Sequence, residues 1–157
     1  MKNYAWQDKF LNEPNDKALL CCEAGTGKSH VGGLWLEQKD RIDHPVVFCP
    51  KGIISKWGKR AKTKHVYTPQ TILKKDVLPI KPTAILVDEA HMWATTLFKA
   101  KTRSKCGERL YEYIKNNPDV DILLLTATPV RANPWNLHTL LALKGHYVPC
   151  KQMGQKS

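Results

Sequence analysis

The most constraining feature of this sequence is a glycine-rich segment, residues 23–29 (EAGTGKS), that directly follows an apolar run at residues 18–22. The apolar run predicts a buried β-strand, and residues 28–38 predict a helix. Gly25 and Gly27 allow the backbone to turn tightly and to direct several N–H groups inward. The N-terminal dipole of the new helix adds positive potential at the same place. The sequence therefore predicts a strand, loop and helix unit that holds an anion.

The side chains of this segment indicate which anion it holds. Lys28 supplies a point charge for the β and γ phosphates of a nucleotide, and the Ser29 hydroxyl is placed to coordinate Mg²⁺. Cys22 stands where the general P-loop pattern expects its first glycine, so the match is to the core Gly-x-Gly-Lys-Ser. The predicted nucleotide-binding residues of the loop are Gly25, Thr26, Gly27, Lys28 and Ser29.

Three further apolar runs lie at residues 46–49, 84–87 and 122–125. Each is continuously apolar, as expected for strands that helices cover on both faces, and the stretches between them are long enough for crossovers. We therefore predict an α/β fold with a mainly parallel sheet. At 157 residues the chain has the size of one domain. We assign that domain to residues 1–150 and expect residues 151–157 to form a flexible tail.

Further helices are predicted at residues 53–61 and 108–115. The clearest helix start is at Asn133, a good N-cap, followed by Pro134, a good first helical residue. An apolar stripe follows and is interpreted as core packing; it consists of Leu137, Leu140 and Leu141.

An acidic pair, Asp88 and Glu89, follows the apolar run at residues 84–87, and His91 comes two residues later. The carboxyl edge of a parallel sheet is where ligands bind. Asp88 can hold Mg²⁺, and Glu89 can orient the water that attacks the γ-phosphate. Acidic pairs are common in loops, and the upstream P-loop is what favours this interpretation.

A third polar segment, residues 126–129 (TATP), follows the last apolar run. The hydroxyls of Thr126 and Thr128 are predicted to face the same edge as His91. The alternative is a strand that simply ends in a Thr-Pro turn. The order of the three segments favours the functional interpretation.

The chain is strongly basic, with 25 Lys or Arg against 14 Asp or Glu and a net charge of +11. Residues 51–75 contain eight Lys or Arg and no acid, and a second basic cluster comprises Lys99, Lys101, Arg103 and Lys105. Such charge is typical of nucleic-acid binders. It also fits a solvated surface, and the first cluster can decorate the solvent side of a helix.

Five cysteines in no Cys-x-x-Cys spacing predict neither a disulfide framework nor a zinc site. The N-terminus shows no cleavable signal, and no apolar run is long enough to span a bilayer. We therefore expect an intracellular, cytoplasmic protein of a bacterium or of a phage-infected host.

These residues resemble the superfamily 2 helicases, and within them the Swi/Snf-type double-stranded DNA translocases and their phage relatives. Residues 23–29 are similar to motif I, residues 88–91 to motif II in its Asp-Glu-Ala-His form, and residues 126–128 to motif III. Residues 49–57 (CPKGIISKW) are similar to motif Ia of the Swi/Snf branch. Gln7 resembles the glutamine that reads adenine in such enzymes.

The resemblance implies a three-layer α/β/α RecA-like domain that binds Mg-ATP through Lys28, Ser29, Asp88 and Glu89. It also implies that His91, Thr126 and Thr128 link the nucleotide state to nucleic-acid binding. The implied nucleic-acid partner is double-stranded DNA, with contacts at Lys51, Lys56 and Trp57.

In this family ATP lies between two RecA-like domains, and the second contributes arginine fingers. We expect that second domain to be absent here, so the isolated chain should be weakly active or inactive until one is supplied in cis or in trans. The alternative is a non-catalytic ATP- or DNA-binding module that acts through a partner. A P-loop kinase or GTPase ranks below both, because no Asn-Lys-x-Asp motif or arginine-bearing lid is found.

Overall fold

The computed structural model describes residues 2–38, 41, 43–74, 78, 81–93, 105–129 and 135–144. Strands and helices alternate along most of this length. The strands are β1 (Lys17–Cys21), β2 (Pro45–Phe48), β3 (Val66–Tyr67), β4 (Ala84–Val87) and β5 (Asp121–Thr126). The helices are α1 (Ala5–Asn12), α2 (Lys28–Glu37), α3 (Ile54–Ala61), α4 (Lys105–Asn116) and α5 (Trp135–Leu143).

The five strands form one sheet in the order β1-β5-β4-β2-β3. Every neighbouring pair is parallel. The register aligns Leu19 with Leu124 and Val87 with Leu124, so β1, β5 and β4 run side by side. Parallel strands all end at the same edge, which places the loops after β1, β5 and β4 next to one another.

Successive strand residues point to opposite faces of the sheet, and each face is packed separately. On one face Val47, Leu86 and Leu123 join a buried cluster with Trp35 of α2 and Trp57 of α3. The other face has its own buried cluster, which includes Phe48, Ile85, Ile122, Leu110 and Leu140. Helices α4 and α5 contribute to that second cluster. The predicted three-layer α/β/α fold is confirmed.

Helix α2 lies unusually close to the sheet at Gly32. A Cβ atom there would lie 2.9 Å from Leu86 Cδ1, 3.0 Å from Leu125 Cδ1 and 3.0 Å from Trp57 Cη2. Real Cβ atoms rarely come within such distances, so the absence of a side chain at residue 32 allows α2, α3 and the sheet to meet.

The opposite, amino edge of the sheet is held by Arg41, whose side chain is 2% exposed. Its guanidinium donates to Asp16 Oδ1 at 2.7 Å and to Asp121 Oδ2 at 2.8 Å. It also lies 4.4 Å from the ring centroid of Trp35. Because Asp16 precedes β1 and Asp121 begins β5, this network fixes the two strands at the end remote from the predicted site.

All four strands expected from apolar runs are confirmed. Strand β3 was not expected, because two residues are too short to form an apolar run. Helix α5 begins at Trp135; in it Leu140 is buried, Leu141 is half-buried and Leu137 is 37% exposed, so the predicted core stripe holds only in part. Asn133, Pro134, Lys99, Lys101, Arg103 and the 151–157 tail lie outside the described residues. Among the helices described, none is long and apolar enough to cross a membrane.

Candidate nucleotide-binding site

The predicted phosphate loop follows β1, and its backbone has the conformation that its glycines permit. Gly25 has φ +78° and Gly27 has φ +84°, both in the left-handed region that residues with a Cβ avoid. Gly27 is the N-cap of α2, and its carbonyl accepts the N–H of Val31 at 3.1 Å. The Thr26 hydroxyl closes the loop by donating to the Glu23 carbonyl at 2.7 Å. The loop thus ends on a helix N-terminus, where backbone N–H groups favour an anion.

Gln7 of α1 is 2% exposed and holds this loop from the side. Its Nε2 donates to the Thr26 carbonyl at 3.3 Å, and its Oε1 accepts the Tyr4 N–H at 2.9 Å. A Cβ at Gly27 would lie 2.7 Å from Gln7 Nε2. Both ends of the amide are therefore engaged within the chain, and the expected reading of adenine by Gln7 stays a prediction.

Asp88 lies at the carboxyl end of β4 and is 3% exposed. Its Oδ1 accepts the backbone N–H of Glu89 at 2.9 Å, and its Oδ2 accepts the indole N–H of Trp57 at 2.8 Å. Glu89 itself has φ +53°, which is uncommon for a residue other than glycine. Such backbone strain is typical of functional sites, where the surrounding structure holds it in place.

Lys28 connects the two predicted halves of the site. Its Nζ lies 3.8 Å from Glu89 Oε1, with side-chain exposures of 10% and 31%. The candidate phosphate-binding lysine and the candidate water-orienting carboxylate therefore form an ion pair. Ser29 follows Lys28 in the first turn of α2 and is half-buried.

The donor set fits Mg²⁺. Ser29 and Asp88 offer hydroxyl and carboxylate oxygens, the hard ligands that this ion prefers, and Mg²⁺ in nucleotide sites usually has only one or two protein ligands. Each Asp88 oxygen accepts one hydrogen bond within the chain and retains a further lone pair.

His91 joins the acidic pair to β5. Its Nδ1 lies 3.3 Å from Glu89 Oε2 and 3.1 Å from Thr126 Oγ1. Thr126 is fully buried, and its hydroxyl also accepts the backbone N–H of Thr128 at 3.1 Å. The structure brings Thr126 and His91 together as predicted, whereas Thr128 takes part through its backbone and its side chain is exposed.

The three residues predicted to contact nucleic acid differ in their surroundings. Lys51 lies in a 3-10 turn (Lys51–Ile53) that follows β2, and Lys56 lies on α3; both are exposed. Trp57 is 2% exposed and has no surface for a nucleic-acid strand in this conformation. The expected direct contact of Trp57 is therefore replaced by its hydrogen bond to Asp88. The helical spacing of Ile53, Trp57 and Ala61 could have predicted this burial.

Raising the pH is expected to destabilise the protein through Cys49, the buried residue that follows β2. Burial, and then the nearby negative charge of Asp88, raises the pKa of the Cys49 thiol to about 11. The folded protein holds this proton more tightly than the unfolded chain, in which a cysteine has a pKa of about 8.5. The stabilisation is complete below the unfolded pKa and is lost as the pH rises toward about 11.

Urea unfolding of wild type and Cys49→Ala at stepped pH, in metal-free buffer, measures this loss. The free energy of unfolding of wild type, relative to that of Cys49→Ala, should fall as the pH rises from about 8.5. A difference that does not change with pH would contradict a buried, protonated thiol.

Relatives of this chain are found among helicases. No protein-family model matches it. The Bacillus subtilis (strain 168) protein YqhH, named an uncharacterized ATP-dependent helicase, is 26% identical over 162 aligned positions, which cover 86% of this chain and 27% of YqhH. The chain thus spans about a quarter of that relative.

Two solved structures have a similar fold. The Sulfolobus solfataricus SWI2/SNF2 ATPase core, solved with double-stranded DNA, has a TM-score of 0.66 and 15% identity. The Pyrococcus furiosus Hef helicase domain has a TM-score of 0.59 and 14% identity. Each alignment covers 91% of this chain and 36% of the other. These two likenesses concern the fold: this chain has the RecA-like α/β fold that is seen in both of those domains.

Proposed function

We propose that this chain is the ATP-binding half of an ATP-dependent DNA helicase or translocase, in which hydrolysis of Mg-ATP is coupled to movement on double-stranded DNA. The observation that carries the proposal is the 3.8 Å approach of Lys28 Nζ to Glu89 Oε1 at the carboxyl edge of the sheet. This approach supports a phosphate-binding role for Lys28 and a water-orienting role for the neighbouring carboxylate of Glu89. Hydrolysis of a nucleoside triphosphate needs both groups at one place.

Nucleotide binding would rearrange this ion pair. The phosphates compete with Glu89 for Lys28, because a polyphosphate carries more negative charge than one carboxylate. Glu89, released from the lysine, is then available to orient and polarise the attacking water. Ser29 and Asp88 would hold Mg²⁺, which would supply positive charge to offset the negative charge of the phosphates.

His91 gives the site a connection to the neighbouring strand. It is within hydrogen-bonding reach of both Glu89 and Thr126, so a shift of Glu89 changes which partner His91 Nδ1 can serve. Thr126 in turn holds the backbone of Thr128. We propose that this path carries the nucleotide state from Glu89 to the loop after β5.

The proposed motor needs a second RecA-like domain, in cis or in trans, to complete the ATP site. In related phosphoryl-transfer enzymes an arginine finger accelerates hydrolysis by about 10³- to 10⁵-fold. We therefore expect the isolated chain to bind Mg-ATP and to release phosphate slowly, if at all. Joining a second domain should give turnover that double-stranded DNA stimulates and that Glu89→Gln abolishes.

Phosphate release at low salt, with and without duplex DNA, tests this proposal. Binding without turnover, even after a second domain is joined, would favour the alternative of a non-catalytic module that acts through a partner. Absence of Mg-ATP binding by wild type would contradict the proposed motor and also an ATP-binding module.

The exposed basic residues that follow β2 are the proposed DNA contact. Lys51 and Lys56 lie beyond the carboxyl end of a strand next to β4, close in the fold to the nucleotide site. Lys51→Ala and Lys56→Ala should each weaken binding of a labelled duplex and lower the slope of log affinity against log salt by about 0.9 for each phosphate that is no longer neutralised. Fluorescence anisotropy at several salt concentrations measures both quantities.

Lys115→Ala is a matched control for this prediction. Lys115 is exposed near the C-terminal end of α4, which packs on the other face of the sheet and leads to the amino end of β5. Equal reductions of affinity in all three variants would show a general effect of charge and would contradict a defined contact.

A further inference from the structure

Trp57 makes a direct contact with the acid that is the candidate ligand of Mg²⁺. The indole is 2% exposed, and its Nε1 donates to Asp88 Oδ2 at 2.8 Å. The other oxygen, Oδ1, accepts the Glu89 N–H at 2.9 Å. Both oxygens of the carboxylate therefore accept hydrogen bonds, one from its own loop and one from a side chain 31 residues away in sequence.

The indole is itself held in place from two sides. Its Cη2 would be 3.0 Å from a Cβ at Gly32 of the phosphate-loop helix, so the ring lies directly against α2. Arg60 Cζ lies 5.8 Å from the centroid of the ring. A side chain packed this tightly offers its N–H in one direction only, which is what an orienting group requires.

The outer side of helix α3 is basic, in contrast to the buried indole on its inner side. Lys56, Lys59 and Arg60 are exposed, and no acid occurs in the helix. One short helix therefore carries both exposed cations and the indole that reaches Asp88. A shift of α3 when its cations meet a phosphate backbone would move the donor on Asp88.

We propose that Trp57 is a positioning residue, whose indole N–H orients Asp88 for Mg²⁺ and ties metal binding to the position of α3. The inference rests on the proposed function for the identity of the nucleotide, whereas the contact between Trp57 and Asp88 does not depend on that function. Partners that orient a metal ligand typically change metal affinity by about 10- to 100-fold when they are removed.

Trp57→Phe tests the inference because phenylalanine keeps an aromatic ring and removes the N–H. The matched control is Trp93→Phe. Trp93 is also fully buried, but its Nε1 has no hydrogen-bond partner in the structure as described, so its replacement removes no such bond. Both variants are measured for ATP affinity with Mg²⁺ and with EDTA, and circular dichroism checks that both are folded.

In Trp57→Phe the increase in ATP affinity that Mg²⁺ provides should fall by about 10-fold, while the affinity in EDTA stays unchanged. Trp93→Phe should match wild type in both. An undiminished effect of Mg²⁺ in Trp57→Phe, or an equal reduction in Trp93→Phe, would overturn the inference. Failure of wild type to bind ATP at all would instead contradict the proposed function.

A second measurement needs no nucleotide. Among the five tryptophan indole signals in a ¹⁵N–¹H spectrum, that of Trp57 is the one missing in Trp57→Phe. It should shift when Mg²⁺ alone is added and should not respond in Asp88→Asn. Saturating duplex DNA should also shift it in wild type. A Trp57 signal that does not shift with Mg²⁺ would overturn the orienting role. A signal that does not shift with DNA would overturn the link between metal binding and the position of α3.

Discussion

Replacing Lys28 with alanine is expected to weaken the binding of Mg-ATP by about 10- to 100-fold, because a hydrogen bond to a charged group contributes about 1.5 to 3 kcal/mol. The side chain of Lys28 is 10% exposed and stands at the start of α2, beside the glycine loop that we propose as the phosphate site. Isothermal titration with ATP and Mg²⁺ measures the change. Thermal unfolding should show little difference, since the only ion pair that Lys28 forms within the described residues is the 3.8 Å contact with Glu89.

Two further variants separate the role of Lys28 from a general loss of charge. Lys62 also forms an ion pair with a glutamate, Glu37, at 3.1 Å, but is 77% exposed, so Lys62→Ala should bind Mg-ATP as wild type does. Glu89→Gln should bind at least as tightly as wild type, because Lys28 no longer has a competing carboxylate. Unchanged affinity in Lys28→Ala would remove the main support for a nucleotide site at this edge.

Replacing Arg41 with methionine is expected to lower the free energy of unfolding by about 3 kcal/mol, since removing one partner of a buried ion pair typically costs about 3 to 5 kcal/mol. The lower end applies because Asp16 is 53% exposed and can regain water. Asp121, at 24% exposure, is less able to do so. The variant also lacks the interaction of the guanidinium with the Trp35 ring. Urea unfolding at neutral pH measures the difference.

Arg109→Met is the control, because Arg109 is exposed on α4 and substitutions at such positions usually change stability by less than about 0.5 kcal/mol. Arg41→Lys should fall between the two, since an ammonium group cannot reproduce the fork that reaches two carboxylates. A decrease of less than about 1 kcal/mol in Arg41→Met would mean that the network adds little to stability.

The sequence predicted the features that depend on local pattern. Continuous apolar runs such as residues 84–87 indicated buried parallel strands, and the polar residues that follow them were placed correctly at one edge. Glycine spacing predicted the tight turn between β1 and α2, because the conformation of such a turn is decided within a few residues. His91 and Thr126 could be paired in advance, since the ends of neighbouring parallel strands lie together.

Side-chain contacts between distant segments could not be predicted in this way. The hydrogen bond from Trp57 to Asp88 depends on how α3 docks against the sheet. The hydrogen bond from Arg41 to Asp121 joins residues that are 80 apart in sequence. The hydrogen bond from Gln7 to the Thr26 carbonyl likewise depends on how α1 packs against the loop after β1. The sequence pattern predicts which face of a helix or strand a residue occupies, whereas the packing of helices against the sheet decides which atoms its side chain contacts.

The close packing around Gly32, which has no side chain, constrains which substitutions this sequence can accept during evolution. Its neighbours Leu86, Leu125 and Trp57 come from two strands and one helix, and together they occupy the space that a Cβ would need. A homologous chain with alanine at this position would need a smaller residue at one of the other three. We therefore expect these four positions to vary together among relatives, as a single volume shared by separate parts of the chain.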